Sequence, residues 1–313
     1  MQSFIISVNA IMPIVIMAFI GYFIQHKNLL SPQTFSQMNK LCFKLFLPCL
    51  LFYNIYTADS EAGENLRLIA FGLAGVLVLF LALTVTVPFF VKVPTRQSVV
   101  IQGIFRANYI LLGVPVAQVI CGEGNIEGVA LMAGFVIPLV NFLAVITLST
   151  HSGKKASYGQ VLLNILKNPL ILASLAAFVM RIIGVPLPTF VSSTLRDLGR
   201  VATPLALITL GGSLSLETTI HNRKALFGVC FMRLLVAPAI FVPIAYYLMH
   251  FTGPNLVAVL MIFAAPTAVS SYVMTQQMGG DSELAGEIVL ATSVASCFTM
   301  FIWIFSLSYI GLI

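Results

Sequence analysis

Charge is what this sequence has least of. Only 8% of its 313 residues are Asp, Glu, Lys or Arg, whereas 59% are hydrophobic and the mean hydropathy is +1.02. A soluble domain carries ~25% charged residues, so that class is excluded. Metal-binding patterns are also missing. The five cysteines (Cys42, Cys49, Cys121, Cys230, Cys297) show no CxxC spacing and no pairing with histidine. They say nothing about redox compartment. The four histidines (His26, His151, His221, His250) fall at the ends of apolar segments, which argues against a metal site within a membrane. No Walker pattern follows Gly211-Gly212 or Gly279-Gly280, and HExxH, GxSxG and paired intramembrane aspartates are absent. Without these there is no visible ATPase, metalloprotease or hydrolase, and neither an enzymatic activity nor a cofactor is expected.

What is present is apolar sequence in membrane-length pieces. A helical span needs ~20 apolar residues, and ten segments qualify: 3–24, 34–56, 66–91, 98–120, 126–148, 160–183, 189–214, 226–249, 255–278 and 284–310. The first lacks a basic leader and a small-residue cleavage site, and is too long for a signal-peptide core, so it reads as a retained span. The net charge of +6 is a loop signal and not a nucleic-acid footprint. With the N-terminus outside, Lys27, Lys40, Lys44, Lys92, Arg96, Lys154, Lys155, Lys167, Arg223 and Lys224 collect on the cytoplasmic side. The other side collects only Arg67, Arg181, Arg196 and Arg200, which places both termini outside.

Segment 102–118, QGIFRANYILLGVPVAQ, carries Arg106, Asn108, Gly113 and Pro115 where a plain span has none of them. Segment 260–277, LMIFAAPTAVSSYVMTQQ, aligns with it at an offset of 158. Ile104, Phe105, Ala107, Gln118, Gly122 and Gly128 then meet Ile262, Phe263, Ala265, Gln276, Gly280 and Gly286, and Glu123 meets Asp281. At an offset of 156, Pro13 meets Pro169, and Lys40, Lys44 and Pro48 meet Arg196, Arg200 and Pro204. Five spans per half is an odd number, so the halves insert with opposite orientation. The domains expected are 1–149 and 160–313, each a five-helix repeat, joined by a cytoplasmic linker at 150–159. Interrupted hydrophobic segments at matching places in two halves point to a transporter's binding site.

Proline removes a backbone donor and glycine weakens a helix, so spans 4 and 9 are expected to break, the former at Gly113 to Pro115 and the latter at Pro266. Pro48 and Pro204 are candidate helix breakers in spans 2 and 7. Half-helix N-termini favour anions. Arg106 and Arg233 lie deep in spans whose carboxylates sit only at the ends. A buried membrane arginine needs a partner. An anionic substrate is one; the alternative is that each arginine snorkels towards the cytoplasm or bonds backbone carbonyls, and this weighs more for Arg233. Asn108 offers both donor and acceptor. Asn9, Asn54 and Asn141 are explained as interhelical bonds, although Asn54 can face the same cavity. The candidate substrate-binding residues are Arg106, Asn108, Tyr109, Gly113, Pro115, Pro266, Thr267, Ser270, Ser271, Gln276 and Asn54.

The stretches LFLPCLLFYNI (45–55), FRANYILLGVP (105–115), NPLILASL (168–175), ATPLALITLGGSL (202–214) and AAPTAVSSYVMTQQMGGDSELAGEIVLATSVAS (264–296) resemble the auxin efflux carrier family. The family includes bacterial organic-acid permeases and plant auxin exporters. The resemblance covers essentially the whole chain. It implies an all-α polytopic fold of ten helices in two inverted repeats, a scaffold and a moving transport domain, crossing broken helices at Pro115 and Pro266, and an organic-anion substrate. Asn108 matches the asparagine ahead of the family's first crossover. Arg106 is less typical of it. The long loop of the larger plant members is absent at 151–158, which favours a bacterial-type permease of malate- or malonate-like acids over an auxin-like one. The expected setting is the cell membrane. Partners are the lipid bilayer and a small organic acid; a coupling proton or sodium ion and a homodimer are left open. The rival readings are a sodium-coupled bile-acid-type carrier of related architecture and, behind it, an anion channel. A channel would more naturally show rings of like side chains.

Overall fold

The computed structural model describes residues 2–57, 66–122, 127–151, 163, 166–184, 186–212 and 216–313. Among them every regular element is a helix. In chain order these are α1 (Gln2–His26), α2 (Pro32–Leu41), α3 (Leu47–Tyr56), α4 (Leu66–Phe90), α5 (Pro94–Phe105), α6 (Val114–Cys121) and α7 (Glu127–Thr150). There follow α8 (Pro169–Ile183), α9 (Thr189–Gly212), α10 (Leu216–Phe231), α11 (Ala237–Tyr247), α12 (Gly253–Ala264), α13 (Ser270–Met278) and α14 (Ser282–Tyr309). The expected linker lies outside the described residues, apart from Thr150 and His151, as do Glu123 and the start of the sixth segment.

Local chemistry sets the helix starts. Ser31, Asn168 and Asp281 each accept a backbone N–H of the first turn with a side-chain oxygen, which satisfies a donor the helix itself leaves free. Pro32 and Pro169 follow two of these caps in the first turn, where a missing N–H costs nothing.

Proline has a second effect that the sequence does not announce. Three π turns, Cys42–Phe46, Tyr109–Gly113 and Met232–Val236, each end two residues before a proline: Pro48, Pro115 and Pro238. Here the i→i+4 ladder widens to i→i+5, as in the N–H of Val114 bonding the carbonyl of Tyr109. The wider turn gives the proline ring room inside a run that continues. Pro48 and Pro115 therefore widen their helices and do not break them. Pro204 sits inside α9, which runs uninterrupted. Of the four expected breakers, only Pro266 lies in a gap between helices.

Among the described residues, four helical runs are each long and apolar enough to cross a membrane: 66–90, 132–150, 222–247 and 282–309. Their outward faces carry large apolar side chains, among them Val85, Phe89 and Phe90 on α4, Phe227 on α10, and Phe298 and Phe305 on α14. Such a surface is stable only against hydrocarbon. α12 is different: Leu256 to Ala264 are buried on every side. A helix that is apolar all round belongs in the centre of its protein, and that is where α12 sits; α5 is likewise buried from Ser98 to Phe105.

Packing groups the helices across the two halves of the sequence. α1, α2–α3, α8 and α9 pack on one another; α4, α5, α7 and α10 to α14 form the other group, and α1 also packs along α14 of that group. Between α1 and α9 the backbones nearly touch: a Cβ at Gly211 would lie 1.8 Å from the Ala18 carbonyl oxygen, and one at Gly21 would lie 2.0 Å from that of Ile208.

Candidate functional site

Two helices end in mid-protein and exchange backbone bonds. α5 stops at Phe105 and α12 at Ala264. The extended residues after them, Ala107 and Thr267, form an isolated antiparallel bridge. The N–H of Asn108 donates to the Pro266 carbonyl at 2.7 Å, and the N–H of Ala268 donates to the Arg106 carbonyl at 3.1 Å. The chain then re-enters helical geometry through Tyr109–Gly113 into α6, and at Ser270 into α13. The first break is thus at Arg106 to Asn108. It was expected at Gly113 to Pro115, which instead form the π turn and the first turn of α6. Proline is not needed to open a helix when a neighbouring strand offers the same backbone groups a partner.

A cavity of about 80 Å³ adjoins the exchange, in the seam between the two helix groups. One wall is Leu47, Leu50, Leu51 and Asn54 of α3, with Leu170, Ala202, Thr203 and Ala206. The other is Arg106 to Ile110, Ile137, Val140 and Asn141 of α7, and Ala268 to Ser270. Among the described residues, no acidic side chain lines it.

The buried lining side-chain atoms that lack a partner here are donors. Arg106 is 2% exposed. Its guanidinium donates to Asn141 Oδ1 at 2.5 Å, Ser270 Oγ at 2.9 Å and the Met274 sulfur at 2.9 Å, all neutral acceptors. The Nδ2 atoms of Asn54 and Asn108 are buried with no hydrogen-bond partner. A buried amide donor left unpaired costs ~1–3 kcal/mol, so such groups mark a place built for an acceptor. The starts of the Tyr109–Gly113 turn and of α13 add the positive ends of two helix dipoles.

The structure divides the remaining sequence candidates. Tyr109 lines the cavity, but its hydroxyl is committed to the Val129 carbonyl at 2.9 Å. Ser270 meets Arg106, whereas Ser271 is buried with its Oγ unpartnered. Thr267 serves the crossing: its hydroxyl donates to the Gly103 carbonyl at 2.6 Å and its N–H to Thr292 Oγ1 at 3.1 Å. Gln276 lies further along α13, bonded by Asn39 of α2 and itself reaching the Tyr272 hydroxyl, and it does not line the cavity. Gly113 lets the turn approach α12, since a Cβ there would stand 3.2 Å from Met261 Cβ. Asn141 was given only an interhelical bond; it makes one, to Arg106, and lines the cavity as well. Its isolation in an apolar span was the available signal.

The fold is that of an all-helical, polytopic membrane protein in which the ends of α5 and α12 exchange backbone hydrogen bonds. Residues 6–304 match the membrane transport protein model of the auxin efflux carrier family, and the chain belongs to that family. It is similar to an uncharacterised transporter of Methanothermobacter thermautotrophicus, 24% identical over 308 residues that cover 95% of this chain and 97% of that protein. Both point to a membrane transporter and away from an enzyme.

Proposed function

We propose that the protein is a secondary carrier for a small organic anion, whose carboxylate is held between Arg106, Asn108 and Asn54. The observation that carries this reading is the convergence of one guanidinium and two unpartnered amide donors on a cavity that no acidic residue lines among the described residues. A carboxylate accepts from all three. The cavity is on the scale of a short-chain acid such as malonate or malate and small for a two-ring auxin. Its apolar walls of leucine, isoleucine and valine suit the carbon chain.

The position of the cavity supports alternating access. Its two walls belong to different helix groups, so sliding one group along the other exposes the site to either side while the crossing stays intact. Ten spans in two inverted repeats, with the crossing at the membrane midplane, is the architecture we assign. Support comes from the repeat offset and from the meeting of the two broken segments. The test is thermal stabilisation of the purified protein across a panel of mono- and dicarboxylates. Stabilisation by a small carboxylate that is lost in Asn108→Ala supports the reading; indifference to every acid in the panel ends it.

A further inference from the structure

The crossing has a second face, away from the cavity, and there one side chain collects what the broken helices release. Arg233, in the Met232–Val236 turn, is fully buried. Its Nε donates to the Ala265 carbonyl at 2.7 Å, Nη1 to that of Ile104 at 2.9 Å and Nη2 to that of Ile262 at 2.7 Å. It makes no ion pair among the described residues.

Each of these carbonyls is free for a stated reason. Ile262 would accept from the residue four positions on, which is Pro266 and has no N–H. Ile104 would accept from Asn108, whose N–H goes to Pro266 instead. Ala265 lies past the end of α12. The three therefore belong to the C-terminal ends of both half-helices, each carrying a partial charge of about −0.5. Two such ends sum to about −1, opposite to one guanidinium.

Carriers with broken helices use unwound carbonyls and half-helix C-termini to coordinate a coupling cation. We propose that Arg233 is a covalently fixed replacement for that cation, so the crossing is permanently charge-balanced and the carrier needs no sodium. This rests on the reading of the crossing as a carrier's site. It decides against the sodium-coupled alternative, because the carbonyls that would strip a sodium ion of its water already accept three N–H groups from one fixed side chain.

The test uses the purified full-length protein and sodium itself as the probe. Wild type should melt at the same temperature in sodium chloride and in choline chloride of equal ionic strength. Arg233→Ala should melt lower by roughly 10 °C, and sodium or dilute guanidinium, but not choline, should recover part of the loss. Arg233→Lys keeps the charge and should stay indifferent to sodium, and it serves where the alanine variant does not fold. Sodium-specific stabilisation of wild type or of Arg233→Lys overturns the proposal. So does a folded Arg233→Ala that no small cation stabilises, since a purely structural arginine would leave no cation site behind. Carboxylate-dependent stabilisation is a separate reading: its absence refutes the anion site and leaves the sodium result standing.

Discussion

The backbone N–H of Asn108 bonds the carbonyl of Pro266 at 2.7 Å, and these two residues stand 158 positions apart, the offset at which the two interrupted segments align. Positions matched by the repeat are therefore in direct contact. That bond removes Asn108 from α5, and with Pro266 it frees the carbonyls that Arg233 takes up.

The two prolines once expected to act alike should now separate. Pro266→Ala returns an N–H to Ile262 and lets α12 run on, in competition with Arg233. Substrate-dependent stabilisation should disappear while the variant still elutes as a folded monodisperse species. Pro115→Ala changes a position that the preceding π turn already accommodates within a continuing run, and should keep most of the response. Equal losses in both variants would contradict the placement of the first break at Arg106 to Asn108.

Anion affinity should divide among three donors. A hydrogen bond to a charged group is worth ~1.5–3 kcal/mol, so Arg106→Gln, Asn108→Ala and Asn54→Ala should each weaken carboxylate binding by roughly tenfold to a hundredfold. Arg106→Lys should restore only part, because a compact ammonium cannot keep Asn141 and Ser270 as well as a carboxylate. Titration calorimetry on folded variants decides it, and unchanged affinity in Asn108→Ala would remove this residue from the site.

The seam between α1 and α9 offers a stability test. Gly211→Ala places a methyl group 1.8 Å from a backbone oxygen, and backbone cannot rotate away. Overpacking costs ~1–3 kcal/mol, and melting should fall by several degrees. Gly228→Ala, with nothing within 4 Å of the added carbon, should be neutral or gain up to ~1 kcal/mol in helix propensity. The reverse order would mean that α1 and α9 do not approach as described.

Orientation is checked from outside the cell. From the Lys/Arg distribution we propose that residues 150–158 face the cytoplasm. Single cysteines there should resist a membrane-impermeant thiol reagent in intact cells and react once the membrane is opened. Labelling in intact cells would invert the topology.

Which parts of the site were readable follows from the kind of signal each leaves. Arg106, Asn108 and Pro266 were legible because polar groups and proline are conspicuous in apolar sequence. Asn141 was equally visible, but only its neighbour Arg106 shows that it belongs to the cavity. Thr267 and Gln276 were grouped with the site by proximity along the chain, and their hydrogen bonds assign them to the crossing and to α2. Pro48, Pro115 and Pro204 looked like breaks because a sequence shows the missing N–H and not the π turn or the continuing ladder that accommodates it.

Composition alone determined that this chain lives in a membrane, since 59% hydrophobic residues cannot all be buried in a single soluble domain. The internal offset determined which two segments matter. Where each segment opens was decided only in the folded protein, because a backbone N–H leaves its helix when another carbonyl is close enough to take it, and that proximity is a property of two helices packed together. The role of Arg233 was decided in the same way: its three acceptors come from positions 104, 262 and 265, and they become one site only where two helix ends meet.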